Sequence, residues 1–346
     1  MKENIKEIMM KKKFIPLVVV LITVMCIISE YTGEKEIIFP EIAALAIGAW
    51  VMKKSAWGNK SFHFWLSPTV AAVTGLVITR FLPYSPFLMI AGAFVLVVLQ
   101  LKIIGSQVSP SLSAAILPIL MHTQSWYYPL SVCILTGIIA FGKKIIDDSY
   151  KKNHTTYDQI EVFNDRKKIK LTQEELINWA KIFTSILMVS AVALYFHWNY
   201  IIAPPLIVAF VEIAKPKGKL YMKTELVFIL LVFAAFSGVT WLYVIYYLLH
   251  WPIWISGALS IICILIIFHI LRFSFPPAAA ITLLPIIIPV NNLWTYPGQI
   301  LVGGAMFLII NLFWVKKLSE YKFSFISKWE FIAILRMICT AKNRKY

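Results

Sequence analysis

Charged residues in this chain are confined to short clusters, and long uncharged apolar stretches run between them. A soluble domain cannot be built this way, because each of its surface helices and strands needs polar residues along one face. The apolar runs lie at 14–28, 37–53, 64–82, 86–104, 109–121, 126–142, 178–195, 199–214, 225–248, 251–271, 275–289 and 296–315. Of the 346 residues, 60% are apolar and 14% charged, against about 45–50% and about 25% in soluble domains. The expected fold class is therefore all-α, a polytopic transmembrane helical bundle of about twelve spans in the lipid bilayer. Two runs, 109–121 and 275–289, fall short of the roughly 20 helical residues that cross about 30 Å of hydrocarbon, and read as either short spans or re-entrant segments.

Lysine and arginine placement discriminates between these topologies, since short cytoplasmic loops are enriched in both. With twelve crossings and the N-terminus inside, the outer face receives only Lys35 and Arg80. Turning the two short runs back also sends Lys215, Lys217, Lys219, Lys223, Arg272 and the basic residues of the central linker outside. Twelve crossings are expected, with both termini cytoplasmic and a plasma-membrane location. The same distribution accounts for the net charge of +16 through anionic headgroups, so no nucleic-acid partner is expected. The N-terminal apolar run has no small-residue cleavage site after it and reads as a retained span. The cysteines Cys26, Cys133, Cys263 and Cys339 are far apart and read as thiols without a disulfide framework.

The punctuation of the chain occurs twice. Ile38-Phe39-Pro40 opens a run ending in Lys53-Lys54, and Ile202-Ala203-Pro204 opens one ending in Lys215-Pro216-Lys217. Pro110 and Pro118 flank the first short run as Pro277 and Pro285 flank the second. Trp126-Tyr127-Tyr128-Pro129 and Trp294-Thr295-Tyr296-Pro297 then open runs that close on Lys143-Lys144 and Lys316-Lys317. Two parallel six-span repeats are expected, because an even number of crossings returns the chain to the side it came from. The domains are then a cytoplasmic tail 1–13, membrane repeat 14–142, cytoplasmic linker 143–177, membrane repeat 178–315, and a basic amphipathic tail 316–346 lying on the cytoplasmic face. Within the linker, Thr172 and Glu175 have the spacing of a capping box.

The short runs are where solute chemistry is expected. Ser109 is a natural N-cap and Pro110 a natural first helical residue, so a helix could start below the surface with free N–H groups. Phe275-Pro276-Pro277-Ala278 has the corresponding place in the second half. Two such starts, with Ser111 and Ser113 and the alanines allowing close backbone approach, would converge on a small anion. Lys102 and Arg272 precede them in matching positions and read as either a basic vestibule or cytoplasmic anchors; His269, a turn before Arg272, reads as either functional or packed. Glu212 sits within a run close to Lys215 and Lys217, and reads as an interfacial ion pair or a functional acid. Glu41, after Pro40, reads first as a helix-end acid at the outer interface, with cation or proton binding as the alternative. The Trp and Tyr clusters read as an interfacial belt.

The run Phe275-Pro276-Pro277-Ala278-Ala279-Ala280-Ile281-Thr282-Leu283-Leu284, followed by Trp294, Pro297, Gly303, Gly304 and Asn311, resembles the HPP family of membrane proteins, named for a His-Pro-Pro motif leading into small residues. The resemblance covers about 225–315 and, more faintly, about 64–142. Phe275 stands where the family motif has histidine, so a role tied to that histidine is absent or moved. The resemblance implies transport, some plastid and cyanobacterial members being regarded as nitrite transporters.

No phosphate loop, nucleophile elbow, two-carboxylate pair or metal-spaced histidine is present in the sequence, so neither catalysis nor a cofactor is expected. The functional expectation is a secondary carrier or channel for a small solute, an inorganic anion being favoured. The alternatives are a membrane scaffold for a partner subunit and an intramembrane enzyme acting on lipid or quinone. Assembly as a homo-oligomer stays open.

Overall fold

The computed structural model describes residues 12–52, 55, 57–58, 60–82, 84–153, 173–215 and 224–314. Thr172 and the basic tail 316–346 lie outside the described residues. Among those described, every regular element is helical, and eight helices are long and apolar enough to cross a membrane. The chain is a multi-pass helical membrane protein.

In chain order the elements are α1 (Ile15–Thr32), α2 (Glu41–Ala46, continued by a π-helical turn Ile47–Val51), α3 (Ser61–Phe81), α4 (Pro86–Ile104), α5 (Pro110–Met121) and α6 (Tyr127–Asn153). Then come α7 (Gln173–Tyr195), α8 (Pro204–Ala214), α9 (Thr224–Leu242, continued by a π-helical turn Tyr243–Leu248), α10 (Ile253–Ile270), α11 (Pro276–Leu283), a single turn α12 (Val290–Leu293), and α13 (Tyr296–Trp314).

The long helices are packed on one side and turn apolar side chains outward on the other. On α1, Val18, Ile22, Met25 and Cys26 are buried, while Leu17, Val20, Val24 and Ile28 are exposed. On α6, Val132, Leu135 and Ile139 face in and Leu130, Ile134, Ile138 and Phe141 face out. An apolar stripe at helical spacing turned away from the core is stable only against a solvent as apolar as itself.

The four short helices α2, α5, α8 and α11 form the centre. All residues of α2, α8 and α11 are buried, as is α5 from Pro110 to Ile119. They pack in a ring: α2 on α5, α5 on α8, α8 on α11, and α11 on α2. Around the ring, α3 packs on α5 and α6 while α9 packs on α11 and α13; α4 bridges α5 to α7, and α10 bridges α11 to α1.

Two expected full spans, 37–53 and 199–214, are corrected here: their α-helices begin only at Glu41 and Pro204, after 3-10 turns at Lys35–Ile37 and Asn199–Ile202. Apolarity runs through both stretches, but a continuous α-helix does not. Pro40 and Pro204 push the residues ahead of them out of the helical region, and Ala203 is extended at φ −47, ψ 132. Each short helix follows a buried stretch and has proline at its N-cap, Pro40, or at its first position, Pro110, Pro204 and Pro276. A helix start leaves backbone N–H groups without intrahelical partners, and proline at that position removes one of them. Proline is therefore the residue best suited to starting a helix where no water is present.

The second proline of α5 and of the α11 segment has a different consequence. Pro118 and Pro285 cannot donate to the carbonyls four residues earlier, those of Ala114 and Ile281. A tyrosine hydroxyl takes over each time: Tyr128 donates to Ala114 O at 2.7 Å, and Tyr296 to Ile281 O at 2.8 Å. The expected belt role of these two tyrosines is thus corrected, for both are buried; their motif neighbours Trp126 and Trp294 are the exposed ones. Close backbone approach recurs as well. A Cβ on Gly75 of α3 would collide with the Ala115 carbonyl, and one on Gly238 of α9 with that of Thr282. Left-handed residues end matching helices, Gly33 with His197 and Gly105 with Arg272.

Candidate functional site

The first turns of α5 carry the densest buried polar chemistry in the ring. Ser109 occupies the N-cap position, yet with φ −61 and ψ −25 it makes no side-chain cap to its own helix. The expected capping role is corrected: its hydroxyl donates instead to Glu212 Oε1 on α8. Glu212 is 4% exposed, and a carboxylate at such a position is tolerable only if charge and hydrogen bonds replace water. The same oxygen also accepts from Trp57 Nε1 at 2.9 Å and pairs with Lys215 Nζ at 2.5 Å. The ion pair read from the sequence is present, with Ser109 and Trp57 added to it.

One helical turn further along α5, Ser113 donates to Glu41 Oε1 at the start of α2. The outer-interface reading of Glu41 is corrected, for this residue is 1% exposed and lies inside the ring. Its other oxygen, Oε2, has no hydrogen-bond partner in the protein. Ser109 and Ser113 are four residues apart and share a face of α5, so the two glutamates meet that face about 6 Å apart along the helix axis.

Trp57 closes the basic end beneath them. Its indole lies against Gly48, where a Cβ would clash with the ring, and reaches across to Glu212. Trp50 packs on Gly142 in the same manner and donates to Ile139 O at 3.0 Å. Lys143 stands 5.7 Å from the centre of the neighbouring Phe64 ring and pairs with Asp147 at 2.8 Å.

The other residues singled out from sequence are distributed differently. Pro110 starts α5, and Ser111 is fully buried with its hydroxyl lacking a protein partner. Phe275 is extended and buried, Pro276 and Pro277 are the first residues of α11, and Ala278 bonds back to the Phe275 carbonyl. α5 packs on α8 and α2, and α11 lies across the ring, packed on those same two helices. Lys102 pairs with Glu175 at 3.0 Å at a part-exposed position, while His269 and Arg272 are exposed at the end of α10. What stands at the centre of the ring is an acid-and-hydroxyl site. Trp57 was not legible as part of it, being only a tryptophan beyond the run, and Glu41 was legible only through its alternative reading as a cation- or proton-binding acid.

No family model, no curated protein and no solved structure matches this chain.

Proposed function

We propose that this protein is a secondary carrier or channel for a small solute, with translocation through the ring of α2, α5, α8 and α11. The observation that carries the reading is the ring itself: four short helices, each starting in the buried interior after a break in the α-helix, enclosed by helices with outward apolar faces. Such backbone in a membrane domain is stable only where protein or a watery path lines it, and half-length helices are a recurrent means of building that path. A scaffold of spanning helices has no need of it.

On this reading the chain consists of two units, α1 to α6 and α7 to α13, each of six segments with the second and fifth short. The paired tyrosine–carbonyl bonds, the paired glycine approaches and the matching neighbours around the ring support a duplication. The basic end, with Lys102, Lys143 and Lys215, is the cytoplasmic one by the charge rule.

A bare anion cradle fits the site less well than the sequence suggests, because Glu41 and Glu212 border α5 and an ionised carboxylate opposes an anion. We favour a small inorganic anion, nitrite being the probe that the HPP resemblance supplies, taken up only as the acids are neutralised. Glu212 is neutralised by Lys215. Radiolabelled nitrite and a panel of other small inorganic anions offered to proteoliposomes test the reading. Uptake above that of empty vesicles, lost in Ser109→Asp and in Pro110→Ala, is expected. A correctly inserted protein that moves none of the panel would overturn it.

A further inference from the structure

We infer that Glu41 is a proton-binding site at the centre of the ring, and that it holds its proton in the closed conformation described here. The inference rests on the carrier reading only for its consequence, proton-coupled movement of the solute; the proton on Glu41 is argued from the site alone.

Three features of the surroundings lead to it. First, the carboxyl is cut off from solvent, at 1% exposure. Second, its partners are few for a charge: Ser113 donates one hydrogen bond to Oε1, the residue's own backbone N–H is the only other donor close to the carboxyl, and Oε2 has no hydrogen-bond partner. Third, no basic side chain among the described residues pairs with it. From the packed elements, α5 brings Ser113 and α11 brings only apolar residues and Thr282, whose hydroxyl donates to Ala234 O at 2.9 Å. The titratable groups within electrostatic reach are Tyr128 on α6 and Tyr296 on α13, and both hydroxyls are committed to the Ala114 and Ile281 carbonyls. Of the neighbouring cations, Lys215 pairs with Glu212 and Lys143 with Asp147.

The magnitudes then decide the protonation state. Burying an ionised carboxylate without a counter-charge costs several kcal/mol even after relaxation, and one hydroxyl donor recovers only about 1.5–3 kcal/mol. A neutral carboxyl with one unmade hydrogen bond costs about 1–3 kcal/mol. The neutral acid is favoured, and the proton sits on Oε2 while Oε1 accepts from Ser113. Glu212 provides the internal contrast, being a buried acid with three donors, one of them cationic. When the ring opens, water reaching Oε2 can accept the proton, and the charge left behind then depends on what else occupies the ring.

Infrared difference spectroscopy of the full-length reconstituted protein reads the proton directly. The carbonyl stretch of a neutral carboxylic acid is expected in the wild type, sensitive to deuterium and bleached at alkaline pH. Glu41→Gln should remove it, and the surface variant Glu175→Gln should keep it. Should Glu41→Gln fail to insert, Glu41→Asp provides a second comparison, shifting the band. A wild type without the band, or a band that Glu41→Gln leaves untouched, overturns the inference. So does thermal stability that rises with sodium at fixed pH through Glu41, which would make the ligand a metal cation. The carrier reading fails separately: with the band present and no anion moved, the protonated acid stands. Where nitrite does move, an imposed pH gradient should drive its accumulation in the wild type and not in Glu41→Gln.

Discussion

α5 and α11 occupy opposite sides of the ring in closely similar settings, yet one is polar and the other is not. Each starts at proline, has a second proline near its end (Pro118 within α5, Pro285 just after α11), has the stranded carbonyl capped by a tyrosine hydroxyl, and lies against a glycine of a neighbouring long helix. Where α5 has Ser109, Ser111 and Ser113, α11 has Pro276, Ala278 and Ala280. The contrast separates two requirements that are usually mixed. Features that hold a short helix inside a membrane protein are present on both sides; features that could handle a charge are on one. Glu41 and Glu212, from two different neighbours, both turn to α5.

The comparison can be attacked first through the shared features. Gly75→Leu and Gly238→Leu should be the most damaging changes, each forcing a helix off a backbone carbonyl at a cost of about 3 kcal/mol, and damaging to a similar degree. The yield of monodisperse protein in detergent measures this, and a marked difference between them would break the equivalence of the two sides. Next come the polar groups. Ser113→Ala should impair nitrite uptake, while Ala280→Ser should leave it near the wild-type rate, since α11 offers that hydroxyl no acid. Equal losses would show that the polarity of α5 is incidental. Smaller still, Tyr128→Phe and Tyr296→Phe each leave a buried carbonyl unpaired, for about 1–2 kcal/mol and a matching fall in melting temperature. The smallest effect is expected from Lys102→Met, which removes a part-exposed pair with Glu175 worth at most about 0.5 kcal/mol; uptake that falls with it would move the site toward the vestibule.

Much of this architecture was visible in the sequence, for definite reasons. The apolar runs marked the long helices because lipid-facing stripes cannot contain charge. The proline pairs at 110/118 and 277/285 marked two of the short helices because proline is tolerated at a helix start and stands out elsewhere. What failed was depth. Hydropathy reads 37–53 as one span because Ile38 and Phe39 are as apolar as the helix after them, and nothing in their composition reports that they are non-helical. That misreading placed Glu41 at a surface when it lies in the interior. Ser109 was misread for a related reason: a serine before proline is a good cap, but a buried glutamate on another helix competes for the same hydroxyl and holds it. The tyrosine of each Trp-x-Tyr-Pro sequence resembles an interfacial anchor until the carbonyl stranded by the second proline is identified.

The packing of α1 on α10, with Glu30 receiving the N–H groups of Ile253 and Trp254, has a bearing on biosynthesis. α1 finds its principal partner only after the eight helices between them have been translated. Until then it waits in the bilayer with its inward face, including Met25 and Cys26, against lipid or an insertion factor. Truncation anywhere before the tenth helix should therefore leave a product that inserts but does not lock, and quality-control proteases would find this segment first.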